Sequence, residues 1–172
     1  MAGGWDAKNI FCSNKELNLM KKPLRNVTSK AIFSIGVFGV IFDKDKKVLL
    51  AKRRDIPLWN LPGGGVETDE TPEEALDREI MEEIGATVKN KGLCGIYFKK
   101  GKDEVVFTYL VEVRPFTFKP TDEASEIIYF NVAQLPENLP SSHAQRIKDA
   151  FNFKGEIIPK IQISGSSKRA YK

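Results

Sequence analysis

Nine acidic residues and one base, Arg78, share the stretch GGGVETDETPEEALDREIMEEIGA at residues 63–86. The rest of the chain keeps 26 Lys and Arg against 14 Asp and Glu, in a protein whose overall net charge is +4. Carboxylates gathered this way can hold divalent cations, and all-oxygen donors suit Mg²⁺ or Mn²⁺ better than zinc. A basic remainder would draw an anionic small molecule toward such a centre.

The spacing predicts the element that carries them. Thr71 caps, Pro72 fits the first helical position and Glu74 completes a capping box, while Gly85 supplies the stop. At about 100° per residue, Glu79, Glu82 and Glu83 form one patch directly beside the apolar stripe Leu76, Ile80 and Ile84. A merely solvated acidic face would lie opposite that stripe. Glu79 and Glu83 repel at i,i+4, and Arg78 can offset part of this through Glu82. Gly63, Gly64 and Gly65, just upstream, let the backbone approach other atoms closely.

The surrounding elements must position this helix. Residues 31–42 read as a buried strand, and KVLLAKR at 47–53 is expected to pair with it across the turn at Asp43–Lys47. A loop with two prolines covers 54–62. Strands at 88–99 and 104–113 form a hairpin, a loop spans 115–125, and 127–132 is a further strand. A second helix is expected from Ser142, capped by Ser142 and Gln145, with Ala144, Ile147 and Phe151 on one face. The organisation expected is an N-terminal extension at 1–29, one domain at 30–160 and a mobile tail at 161–172.

Composition narrows the class. A hydrophobic fraction of 41% and a charged fraction of 29% over 172 residues suit one soluble globular domain. The apolar run 31–42 is too short for a membrane span, and the N-terminus shows no basic start followed by an apolar region. Cys12 and Cys94 fit neither a zinc pattern nor a disulfide framework, which points to reduced thiols in the cytoplasm. The basic charge is dispersed, with no nucleic-acid module and no membrane segment; homodimerisation through the N-terminal extension is an open alternative.

From Gly64 the residues run G-x5-E-x7-R-E-U-x-E-E-x-G-U, U being a bulky aliphatic, with Gly64, Glu70, Arg78, Glu79, Ile80, Glu82, Glu83 and Gly85 in register. This resembles the signature box of the Nudix hydrolases. Ala86 departs from it, being smaller than the aliphatic preferred there, and Leu61-Pro62-Gly63-Gly64 before the box is also typical. The resemblance covers about residues 31–151. It implies an α/β fold, an α/β/α sandwich with a mixed sheet between helices, and metal-dependent hydrolysis of a diphosphate linkage in a nucleoside diphosphate derivative.

Carried over residue by residue, Glu79, Glu82 and Glu83 look like ligands for Mg²⁺ or Mn²⁺, with the Gly64 carbonyl as a further ligand. Arg78 and Glu70 look like supports for helix and loop. The base that takes a proton from water is a box glutamate, Glu82 or Glu83, or a glutamate on a later loop. Of the later pair, Glu126 just before a strand is the expected one and Glu123 a solvated loop acid. In similar proteins an arginine at the position of Arg53 or Arg54 touches substrate phosphate. Trp59 could stack on a base or pack its loop, and His143, at a helix start, is expected at the surface. The rival readings are hydrolysis at RNA 5′ ends and a nucleotide-binding sensor without catalysis.

Overall fold

The structure, a computed structural model, describes residues 32–157 and 159–163. The N-terminal extension, with Cys12 and any dimer contact through it, lies outside the described residues, as do residues 164–172. Strands β1 (Ser34–Ile41), β2 (Val48–Arg53) and β3 (Trp59–Asn60) lead into helix α1 (Pro72–Ile84). Then come β4 (Val88–Lys100), β5 (Glu104–Val113), β6 (Ala124–Phe130), helix α2 (Ser141–Phe151) and β7 (Lys160–Ile163). No helix among the described residues is long and apolar enough to cross a membrane.

The strands form two sheets. One has the order β1-β5-β4-β7 and is mixed: β1 runs parallel to β5, β5 antiparallel to β4, and β4 parallel to β7. The other, β3-β2-β6, is antiparallel. Side-chain alternation along each strand serves two cores. Val37, Ile41, Leu49 and Ala51 join Leu76, Ile80 and Ile84 of α1, whereas Val40, Val48 and Leu50 join Ile147 and Ala150 of α2. Helices thus cover both faces, as an α/β/α sandwich requires. Gly39 sets the closeness of one layer, since a Cβ there would stand 3.1 Å from Ile80 Cδ1.

Four expectations need correction. First, β1 and β2 do not pair along their length; a single bridge, Phe42 with Val48, joins the residue after β1 to the start of β2. The reason is that β1's second edge is taken by the glycine loop. Val37 and Gly39 donate N–H bonds to the carbonyls of Gly64 and Pro62, and Val66 donates to Ile35. β2 is left to build the second sheet.

Second, the expected cap of α2 is absent. The helix starts at Ser141 behind Pro140, with no side-chain cap. Gln145 Oε1 and the Ser142 carbonyl instead accept from Gln162 Nε2. The buried face is His143, Arg146, Ile147 and Ala150, and Phe151 is half exposed. Arg146 lies between the rings of Phe38 and Tyr97 and donates to Gln162 Oε1 at 3.0 Å.

Third, residues 161–163 of the expected tail belong to β7, held to α2 through Gln162 and through the Lys160–Asp149 ion pair. Fourth, β6 begins at Ala124, three residues before the expected start. Cys94 is a buried thiol that donates to the Thr108 carbonyl, and burial pushes its pKa up to about 12.

Candidate functional site

α1 forms as its sequence requires. Thr71 Oγ1 accepts from Glu74 N, Glu74 Oε2 accepts from Thr71 N, and Gly85 closes the helix at φ 68° with its N–H on the Met81 carbonyl. Leu76, Ile80 and Ile84 are fully buried, and so is the small Ala86 just beyond the helix. The helix is therefore fixed in rotation, which sends Glu79 and Glu83 to the edge of the core.

The glycine loop closes over these acids. Leu61 N–H donates to Nδ1 of His143, 3.1 Å away, which pins the start of the loop to α2. Gly63 has φ 136°, and a Cβ there would sit 2.1 Å from the Val37 carbonyl oxygen. Its N–H donates to Glu83 Oε2 at 2.9 Å. Gly64 leaves the space in which the Glu79 carboxylate lies, since a Cβ would stand 2.5 Å from Oε1. The Gly64 carbonyl accepts from Val37 N–H, which leaves one lone pair for any other partner.

Arg78 ties the acids and the loop into one unit. Its Nε and Nη2 reach both oxygens of Glu70, Nη2 also reaches the Gly65 carbonyl, and Nη1 reaches Glu79 and Glu82 at 2.9 and 3.1 Å. Bonds to Arg78 hold the Glu70 carboxyl below the usual carboxylate range, and the Arg78 pKa is raised, chiefly by Glu70.

The acids that converge are Glu79, Glu83 and Glu123, with one oxygen of each within 4.8 Å of the others. Burial pushes the Glu83 pKa up to about 8, against the Gly63 N–H bond and with the nearby charges of Glu79 and Glu123 adding to it. Burial raises Glu79 as well, with Arg78 opposing. Two carboxylates whose ionisation is disfavoured by burial, Glu79 and Glu83, with a third oxygen donor beside them, fit a divalent cation, whose charge would remove both the desolvation cost and the repulsion. All donors are oxygen, as Mg²⁺ or Mn²⁺ prefer.

Other expected residues are placed differently. Glu82 is exposed and its carboxylate is on Arg78. Glu126 lies inside the β2–β6 ladder opposite Lys52 and pairs with that lysine at 3.3 Å, outside the cluster. The early start of β6 causes this, because it leaves Glu123, one residue before the strand, at the loop's end. Arg53 lies within the electrostatic reach of Glu83 and Glu123 and is bonded through Nε and Nη2 to Asp55. Arg54 is exposed, and its N–H donates to the Glu123 carbonyl. Trp59 is buried edge-on to Phe130, packed against the second core.

His143 also corrects its expectation. It is 7% exposed, and burial lowers its pKa well below the usual value. A lone histidine three residues into a short helix gave no signal for this, because its partner Leu61 is 82 residues away.

The NUDIX domain profile matches residues 33–150. An ADP-ribose pyrophosphatase of Methanocaldococcus jannaschii is 34% identical over 158 residues, covering 86% of this chain and 91% of its own. A putative 8-oxo-dGTP diphosphatase of Bacillus subtilis is 40% identical over 135 residues, 78% of this chain and 91% of its own. Among solved structures, an ADP-ribose pyrophosphatase of Streptococcus suis superposes with a TM-score of 0.63 at 21% identity, over 76% of this chain and all of its own. A MutT protein of Bacillus halodurans does so at 0.65 and 23%, over 80% and 94%.

Proposed function

The chain belongs to the Nudix hydrolase family and is a Nudix-type pyrophosphohydrolase, and from that premise we propose that it cleaves the diphosphate of a nucleoside diphosphate derivative with Mg²⁺ or Mn²⁺. The convergence of Glu79, Glu83 and Glu123 under the glycine loop carries this reading. These three would hold the cation, the free lone pair of the Gly64 carbonyl would be a further donor, and Glu82 is held beside Glu79 by their shared bond to Arg78. When bound, the cation neutralises diphosphate charge and acidifies water.

The chain's own residues supply the rest. Arg78 and Glu70 fix helix and loop. Arg53, beside the cluster, meets substrate phosphate, with Arg54 at the rim. Glu123 takes the proton of the attacking water, because its carboxylate is exposed and carries no hydrogen-bond partner among the described residues. The water oxygen bonds to one phosphorus, the bridging P–O bond breaks, and two phosphate-terminated products leave.

The relatives name two substrates to try, ADP-ribose and 8-oxo-dGTP. Each is incubated with the protein and Mg²⁺, and the products are separated and identified. Cleavage of either at its phosphoanhydride, stopped by EDTA, is the expected result. Cleavage that persists in excess EDTA would overturn the cation reading.

A further inference from the structure

Glu79 and Glu83 stand on α1, whereas Glu123 stands on the loop before β6. The cluster therefore joins two segments about 40 residues apart in the chain, and like charges at short range push them apart.

One hydroxyl bridges the two segments. Thr121 Oγ1 donates to the main-chain carbonyl of Glu83 at 3.0 Å. It accepts from the N–H groups of Glu123 at 3.3 Å and Ala124 at 3.0 Å. Its one proton and both lone pairs are thus in use. Thr121 N–H donates to the Ala124 carbonyl, closing the turn, and Arg54 N–H holds the Glu123 carbonyl from the β2 side. The Glu83 carbonyl lies in the last turn of α1, where helix carbonyls lack partners within the helix. The same hydroxyl thus satisfies the helix end and fixes both amides at the start of β6.

We propose that Thr121 is a positioning residue for the cation site, setting the spacing between the Glu83 and Glu123 carboxylates. This rests on reading Glu79, Glu83 and Glu123 as the cation's holders. A turn that merely steadied the loop would affect stability and leave metal binding of the folded protein alone.

Thr121→Val keeps the side-chain shape and removes the hydroxyl; Thr121→Ser keeps the hydroxyl. Mn²⁺ is titrated into each variant and into Glu123→Gln without substrate, reading free Mn²⁺ by electron paramagnetic resonance, with folding checked by circular dichroism. kcat and KM are measured alongside. Thr121→Val should weaken Mn²⁺ binding about tenfold or more and lower kcat with KM little changed, with Thr121→Ser near wild type. Wild-type Mn²⁺ affinity in Thr121→Val, or an equal loss in Thr121→Ser, overturns the proposal. Should Thr121→Val bind as wild type while Glu123→Gln binds weakly, the positioning role of Thr121 alone falls. Should neither variant change binding, the cation reading of the site falls with it.

Discussion

Glu79 packs its carboxylate into the space that a side chain on Gly64 would fill, 2.5 Å from the ideal Cβ position. The neighbour in the way is the far end of a flexible side chain, so Gly64→Ala should fold and displace the Glu79 carboxylate. A misplacement of about 1 Å at a reacting centre is worth roughly 10²-fold in rate, which is the expected loss of kcat. Gly63→Ala meets main-chain atoms of Val37 and a φ of 136° instead. It should lower the melting temperature, with about 1–3 kcal/mol lost to backbone strain alone. Melting curves and kcat for the two variants separate the roles; a fully active Gly64→Ala would refute this account of the loop.

Glu83→Gln should remove most turnover while the fold persists. The side chain keeps its size and can still accept from Gly63 N–H, but it brings no charge to the cation. A drop in kcat of about 10²-fold or more is expected, with weaker apparent Mg²⁺ affinity. A Mg²⁺ titration of kcat checks both, and near-native turnover at ordinary Mg²⁺ would remove Glu83 from the site.

The two later glutamates should now separate the other way from the sequence expectation. On the proposed reading, in which Glu123 both contacts the cation and accepts the proton, Glu123→Gln should cut kcat roughly 10²-fold or more. Glu126→Gln breaks only a half-exposed pair with Lys52, an interaction worth about 0–1 kcal/mol at most. It should turn over like wild type. Steady-state kinetics of the pair decide the matter, and the reverse ranking would restore Glu126.

Arg78→Lys tests the guanidinium fork. A single ammonium cannot reach Glu70, Glu79, Glu82 and the Gly65 carbonyl together as Arg78 does. About a tenfold or greater fall in kcat is expected from the loosened glutamates. Retained activity would show that the loop and helix hold their geometry without the fork.

His143 predicts a pH dependence of stability. Its folded pKa lies well below the unfolded value of 6.5, and burial is the main cause. Below that unfolded value the unfolded chain binds a proton that the folded chain refuses, so stability falls as pH falls. The slope is at most about 1.4 kcal/mol per pH unit for one proton, starting below about pH 6.5. Urea unfolding of the wild type and of His143→Asn across pH 5–7 should show a shallower slope in the variant. Equal slopes would assign the acid sensitivity to other groups.

The sequence by itself determined whatever depends on near neighbours. The caps at Thr71 and Gly85, the rotation of α1 set by Leu76, Ile80 and Ile84, and the hairpin of β4 and β5 all follow from residues a few positions apart. So does the presence of Glu79, Glu82 and Glu83 on one side of α1, since a helix repeats at about 3.6 residues per turn. Only the tertiary structure decided which acids meet. Glu123 joins the cluster because β6 pairs with β2 from Ala124 onward, and Glu126 leaves it because that register sets it opposite Lys52. The glycine loop displaces β2 from β1 through main-chain bonds that carry no side-chain pattern. His143 turns inward for Leu61, and Thr121 reaches back to Glu83. Each of these is a contact between segments far apart in the chain, where the geometry is set by how the two sheets pack and no local periodicity records it.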